Sequence, residues 1–248
     1  MRLALAQLNP TIGDIPANAA RIADAAAKAG NEGADLLAVP ELAICGYPPK
    51  DLLIHDGFVR ACVAACDKVG AAAPPALTLV IGTPLLDEHG GLRNALLVYR
   101  GGARIAAYSK RLLPTYDVFD EDRYFEPGDA PVVIDAANVR VGLAICEDLW
   151  KGEDAGFSSH YRSVPDPVAE LAAGGARVLV VPSASPFVLG KGDATATSSR
   201  PTRSVTGCGS RRSTRLAATT TSCSTGTRRC TGRTRRCTRR RRGLRSMC

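Results

Sequence analysis

Through residues 1–192, short apolar runs bounded by Gly and Pro alternate with longer segments of helical spacing, and this alternation constrains the fold more than any other feature. "RLALAQLNP" alternates in the manner of a strand and breaks at Pro10. Asp14 followed by Pro16 signals a helix start, and "ANAARIADAAAKAG" is an Ala-rich amphipathic helix that Gly30 is expected to stop. "ADLLAVPEL" is a short buried strand, and "DLLIHDGFVRACVAACDKVGAAA" has helical spacing again. "LTLVIGTPL", "NALLVYR" and "RIAAYSK" read as strands, the last two joined through Gly101-Gly102 as a hairpin. "VVIDAANVRVGLAIC" holds a further strand pair, "PDPVAELAAGG" a helix, and "ARVLVVPSASPF" a strand running into a loop. Strands and helices in this order predict a layered α/β sandwich.

The strand ends carry the chemistry. Glu41, Lys110, Cys146 and Ser185 each stand just past the last apolar residue of a strand. Polar groups at the carboxyl ends of strands in an α/β sheet converge on a common crevice. A cysteine there is more often a small buried hydrophobe than a nucleophile. In "VRVGLAICEDLW", however, Cys146 is followed at once by two carboxylates, which a structural cysteine does not require. A thiol acting as nucleophile needs a base, and acyl transfer needs a cation or N–H donors at the developing oxyanion. Glu41, Lys110 and Cys146 supply these roles without a histidine. Cys62 and Cys66, four apart on one helical face, read as core, and His55 is a weak candidate.

Other classes are disfavoured. No run of 18 apolar residues exists, and "MRLALAQLNP" turns polar too early for a secretory signal, so the chain reads as cytoplasmic with no membrane partner. No CxxC pair occurs among the nine cysteines, and His55, His89 and His160 are isolated, so no metal is expected. The net charge of +8 conceals two halves. Residues 1–192 carry 17 basic and 23 acidic side chains, for −6, whereas residues 193–248 carry 15 Arg and one acid, for +14.

That second stretch, 193–248, is a low-complexity Arg/Thr/Ser-rich tail with no helical or strand periodicity, expected to be disordered. An Arg-rich arm binding nucleic acid through phosphates is one reading, and a solvated basic tail another. We read it as out-of-frame translation with the slip near Gly192. If the first two bases of each tail codon are the last two of a true codon, only a few residues are allowed at each position, and one permitted choice recodes "STRLAATTTSCSTGTRRCTG" (213–232) as VNQVGGNDDLVFDGHAAVYG. The recoded string has the apolar runs, acids and glycine turns that the tail lacks.

Four motifs in order give the first 192 residues a family likeness: "PELAICGYPPKDLL", "SKRLLPTYDVFDEDRYFEPG", "CEDLW", and "SASPF" with a "GK" shortly after it. The region resembles the carbon–nitrogen hydrolase (nitrilase) superfamily, and more narrowly the N-terminal glutaminase domain of glutamine-dependent NAD synthetases. General nitrilase relatives have an aromatic–Asp–Arg pattern after the cysteine, where this chain has Glu147-Asp148-Leu149-Trp150. The resemblance implies an α-β-β-α sandwich, here incomplete, over 1–192. It implies that Glu41 activates the thiol, Lys110 steadies the tetrahedral intermediate, and Cys146 forms a glutamyl thioester. Tyr116, Ser185 and Lys191 match glutamine-binding positions, and Glu147 is expected, from its charge, to hold the substrate α-ammonium.

The implied activity is release of ammonia from L-glutamine for NAD synthesis from deamido-NAD. No cofactor is expected in this domain. ATP and deamido-NAD would bind a synthetase domain whose SGG-type loop is absent from this sequence. The family also assembles through this domain, which implies a homo-oligomer. The alternatives are a free-standing nitrilase-type amidase, or an inactive fragment or nucleic-acid binder dominated by its tail.

Overall fold

A computed structural model of the chain describes residues 1–116, 119–149, 151, 161, 163–184, 216–221 and 234–236. The chain order begins β1 (Leu3–Ala6), α1 (Ile15–Asn31), β2 (Leu36–Ala38), a 3₁₀ turn (Lys50–Ile54) and α2 (Asp56–Ala72). The strands β3 (Thr78–Leu86), β4 (Leu92–Arg100) and β5 (Ala103–Ser109) come next. After them lie β6 (Val132–Ala136), β7 (Val139–Leu143), a 3₁₀ turn (Cys146–Leu149), α3 (Pro167–Ala173) and β8 (Val178–Ser183). Two further strands, β9 (Leu216–Thr221) and β10 (Thr234–Arg236), close the order.

The strands form two sheets, one in the order β10-β1-β2-β3-β4-β5 and the other β6-β7-β8-β9. In the first, β1, β2 and β3 run parallel while β3-β4 and β4-β5 are antiparallel. In the second, β6-β7 is antiparallel and β7-β8 parallel. Period-2 alternation assigns the faces. On β2, Leu37 joins Ile22, Ala26, Cys62, Cys66 and Val69 in the core between the first sheet and its two helices. Its neighbours Leu36 and Ala38 point the other way, packing with Val80, Leu96 and Val98 against Ile134, Val141, Leu143 and Val180 of the second sheet. Leu171 of α3 covers the outer face through Leu179 and Val181. The layers are therefore helix, sheet, sheet, helix, the expected sandwich. Leu36 and Leu37 are both fully buried, each stabilising the fold by roughly 1.5–3 kcal/mol.

Asp14 caps α1, its side chain accepting from Ala17 N at 3.2 Å. The helix continues past Gly30 to Asn31, and the reversal comes at Gly33, whose φ of +69° disfavours a side chain. The second helical pattern is also shifted. Lys50 at φ +47° and His55 in an extended conformation interrupt it, so a 3₁₀ turn precedes a helix that begins only at Asp56.

Two short segments of the Arg-rich tail pair as strands. β9 runs parallel to β8, and β10 antiparallel to β1. Both occupy sheet edges, where unpaired backbone N–H and C=O groups accept any extended segment. No described helix is long and apolar enough to cross a membrane.

Candidate active site

Three chain reversals carry the sequence-predicted triad. Glu41 stands in the turn after β2, with Val39 N bonded to Val80 O at 3.2 Å before it and Ile44 N to Gly82 O at 3.2 Å after it. Leu42, next in the chain, adopts φ +48°. The turn lies so close to β3 that a Cβ on Gly82 would meet Leu42 N at 2.5 Å and Pro40 O at 2.6 Å. Only glycine permits that approach, so the direction of Glu41 is set by backbone against backbone.

Lys110 comes directly after β5, its N–H bonded to Asn94 O at 2.8 Å and its carbonyl accepting from Gly128 N at 2.7 Å. The side chain is completely buried. Its Nζ lies 2.7 Å from Glu41 Oε1 and 2.8 Å from both carboxylate oxygens of Glu121. Burial alone would lower the Lys110 ammonium, but the carboxylates of Glu121 and Glu41 outweigh it and hold the group well above the usual lysine range. Burial pushes the Glu121 carboxyl up; Lys110 opposes that and the like charge of Glu41 adds to it. Two carboxylates thus share one ammonium.

Cys146 opens the 3₁₀ turn after β7 at φ +42°, a left-handed conformation that costs a non-glycine residue on the order of 1–3 kcal/mol. Asp148 holds it there. One carboxylate oxygen accepts from Ile145 N at 2.8 Å and Tyr108 OH at 2.7 Å; the other accepts from Arg111 N at 3.0 Å and Leu112 N at 2.9 Å. A single buried side chain therefore ties the thiol-bearing turn to the segment bearing Lys110. Burial raises the Asp148 carboxyl, and these donors work against the rise.

Glu147, between the thiol and this staple, is also buried. It accepts from Tyr116 OH at 2.9 and 3.0 Å and from Tyr161 OH at 3.4 Å. Desolvation raises its carboxyl, and the Tyr116 hydroxyl and Lys110 counter in part. Tyr116 stacks edge-on against Phe119 with ring centroids 5.5 Å apart. The structure brings Glu41, Lys110, Cys146, Glu147 and Tyr116 into one region; Ser185 and Lys191 lie outside the described residues.

Sequence reading missed four members: Glu121, Asn94, Tyr47 and Tyr161. Glu121 lies inside "FDEDRYF", where three acids in a row give no sign of which faces inward. Asn94 Nδ2 donates to Glu41 Oε1 at 2.9 Å, and Tyr47 OH to Glu121 Oε1 at 2.8 Å. Cys45, Cys62 and Cys66 are buried in the helix-side core, and burial pushes the Cys66 thiol well above its usual range. His55 precedes α2 without a side-chain cap. No group of three or more metal-ligating side chains occurs among the described residues.

A family model for carbon-nitrogen hydrolases matches residues 2–158. The chain belongs to the carbon-nitrogen hydrolase family. The chain is 42% identical over 197 residues to a glutamine-dependent NAD(+) synthetase of Synechocystis sp., a match covering 76% of the chain and 35% of the relative. The chain spans about a third of the length of the curated relatives it matches. Among solved structures it superposes on a glutamine-dependent NAD+ synthetase from Acinetobacter baumannii with a TM-score of 0.69 and 29% identity, covering 78% of this chain and 34% of that one. An amidase from Nesterenkonia sp. superposes with a TM-score of 0.60 and 28% identity, over 75% of this chain and 65% of the amidase. A variant of that amidase adds acrylamide at its active-site cysteine.

Proposed function

We propose that this hydrolase cleaves the side-chain amide of L-glutamine, with Cys146 as nucleophile, Glu41 as base and Lys110 as the fixed cation. The observation that supports it most is the buried Lys110–Glu41 pair at the end of the strands, with Cys146 close enough to contribute to the Lys110 electrostatics. The thiol proton passes to Glu41 as sulfur bonds to the amide carbon, and the carbonyl electron pair moves onto oxygen beside Lys110. As the intermediate collapses, the C–N bond breaks and Glu41 returns the proton to the leaving nitrogen, releasing ammonia and leaving a thioester. Water, deprotonated by Glu41, then attacks the thioester and frees glutamate and the thiol.

Glutamine rather than an arbitrary amide is favoured by Glu147. Its carboxylate, oriented by Tyr116 and Tyr161, matches the charge of a substrate α-ammonium. In the longer relatives' context the ammonia would serve amidation of deamido-NAD, with ATP and deamido-NAD bound on a synthetase domain. Assembly into a homo-oligomer belongs to the same reading.

The test is ammonia and glutamate production from glutamine by the full chain. Cys146→Ala should abolish it. Faster turnover of ω-amides lacking the α-ammonium would favour the free-standing amidase, the reading supported by the Nesterenkonia likeness. No turnover, with salt-sensitive RNA binding that needs the Arg-rich tail, would point to the nucleic-acid reading instead.

A further inference from the structure

The two oxygens of the Glu41 carboxylate are not equivalent. Oε1 accepts from Lys110 Nζ at 2.7 Å and from Asn94 Nδ2 at 2.9 Å, while Oε2 accepts from Ala184 N at 2.9 Å. A carboxylate oxygen offers about two acceptor sites. Among the described residues, Oε1 is thus filled and Oε2 keeps one site open. We infer that Asn94 is a positioning residue that, together with Lys110, closes Oε1 and reserves Oε2 as the atom that takes the thiol proton. The inference rests on the proposed hydrolase mechanism.

Asn94 is suited to this by its place on β4. It is 1% exposed, and its own carbonyl accepts from Lys110 N at 2.8 Å, so one residue fixes the lysine backbone and the glutamate side chain together. Its Nδ2 also lies 3.4 Å from Glu121 Oε2. The amide cannot turn over, because Oδ1 would then face two carboxylates. In the orientation observed, Oδ1 has no partner among the described residues. A buried acceptor left unsatisfied is destabilising, and such a group in a native structure calls for an explanation. Here the demand of the two carboxylates for a donor supplies it.

The proton balance is simple. As S–C forms, the S–H proton moves to Oε2; as C–N breaks, Oε2 returns it to the departing nitrogen. Without Asn94, Oε1 regains an open site, and either oxygen can turn toward the thiol, so the base loses its fixed direction. The charged and titratable groups around Glu41 are Lys110 after β5, Glu121 from the loop beyond it and Tyr47 from the loop after β2, while Cys146 after β7 acts on the same lysine.

Asn94→Leu keeps the branched shape and removes the donor, whereas Asn94→Ser keeps a donor in less space. In the full-length chain, the rate of Cys146 alkylation by iodoacetamide, read by peptide mapping, is measured against pH beside glutamine turnover. Asn94→Leu should lower kcat about 10- to 100-fold with KM within about twofold. Its Cys146 alkylation should slow by a similar factor across the pH range, because the base no longer presents one fixed oxygen to the thiol. Asn94→Ser should lie between it and the unmodified chain. The inference is overturned if Asn94→Leu keeps either kcat or the alkylation rate, or if both variants lose activity only in proportion to lost folded protein. Alkylation needs no substrate. An unmodified chain that fails to hydrolyse glutamine would therefore sink the functional reading, while the alkylation rate would still decide the role of Asn94.

Discussion

Lys110 Nζ lies 2.7 Å from Glu41 Oε1, with the two side chains 0% and 1% exposed. Glu121 completes a cluster in which two carboxylates share one ammonium. Breaking a buried pair by removing one partner is far more destabilising than the pair is worth, since it strands the other charge. Lys110→Met should therefore abolish turnover and also destabilise the fold by about 3–5 kcal/mol, measured by urea unfolding. A variant unfolding at the same urea midpoint as the parent would show that the cluster is not the closed, dry arrangement described.

Glu147 gives the pH dependence. Burial raises its carboxyl, so as pH falls it takes up a proton earlier than an ordinary glutamate. If the ionised form holds the α-ammonium, KM for glutamine rises as pH falls through that elevated range, before the carboxylates of the surface titrate. Stability takes the opposite sign: a carboxyl raised on folding contributes fully below the unfolded-state value, and that contribution is lost as pH rises through the folded one. Glu147→Gln should raise KM about 10- to 100-fold near neutral pH and flatten its acid dependence, as loss of a charge-assisted bond implies. A steep acid rise in KM that survives the substitution would assign ammonium binding elsewhere.

Much of this arrangement is legible in the sequence because buried strands write themselves as apolar runs and the polar residue after each run is conspicuous. Glu41, Lys110 and Cys146 stand out that way, along with the order of the layers. Glu121 and Asn94 do not. Asn94 sits within "RNALLVYR", where a polar residue near the start of a strand reads as a solvated end, and its burial depends on Lys110 crossing above it sixteen residues later. Glu121 reaches the lysine through an irregular segment with no period to read. The departures in the helices arise where Lys50 and Gly33 take positive φ, and neither residue announces in the sequence which conformation it takes.

The reading frame makes its own prediction. Sequencing the coding DNA across codons 185–215 should reveal a base gained or lost, and restoring the frame should replace the Arg-rich stretch with one holding apolar runs, acids and glycine turns, of which VNQVGGNDDLVFDGHAAVYG is one permitted form. A clean sequence would make the Arg-rich tail genuine, and activity would then have to be judged on the chain as it stands.

Gly82 offers a test of the turn that aims Glu41. Adding one methyl there sets a carbon 2.5 Å from Leu42 N and 2.6 Å from Pro40 O, neither of which can swing aside as a side chain would. Gly82→Ala should displace Glu41 and reduce kcat by about 100-fold or more, the sensitivity expected when a base is moved by about 1 Å. Activity within about threefold of the parent would mean that the turn yields without carrying Glu41 with it.

Asp148 tests whether the thiol is held by its staple. Its four donors divide between two oxygens, and an asparagine has only one oxygen to offer. With the new amide group toward Arg111 and Leu112, two backbone N–H donors face an N–H₂. Turned the other way, the Tyr108 hydroxyl can reverse and accept, but Ile145 N–H is left without an acceptor, one residue before Cys146. The second orientation costs less, so Asp148→Asn should adopt it and lose about 1–3 kcal/mol for the single orphaned donor. Because that donor fixes the approach to the φ +42° thiol, kcat should fall more steeply than stability does. Measuring kcat well below the urea midpoint separates the two effects. Full activity in a destabilised variant would place the control of Cys146 in the strand that delivers it rather than in the carboxylate beneath it.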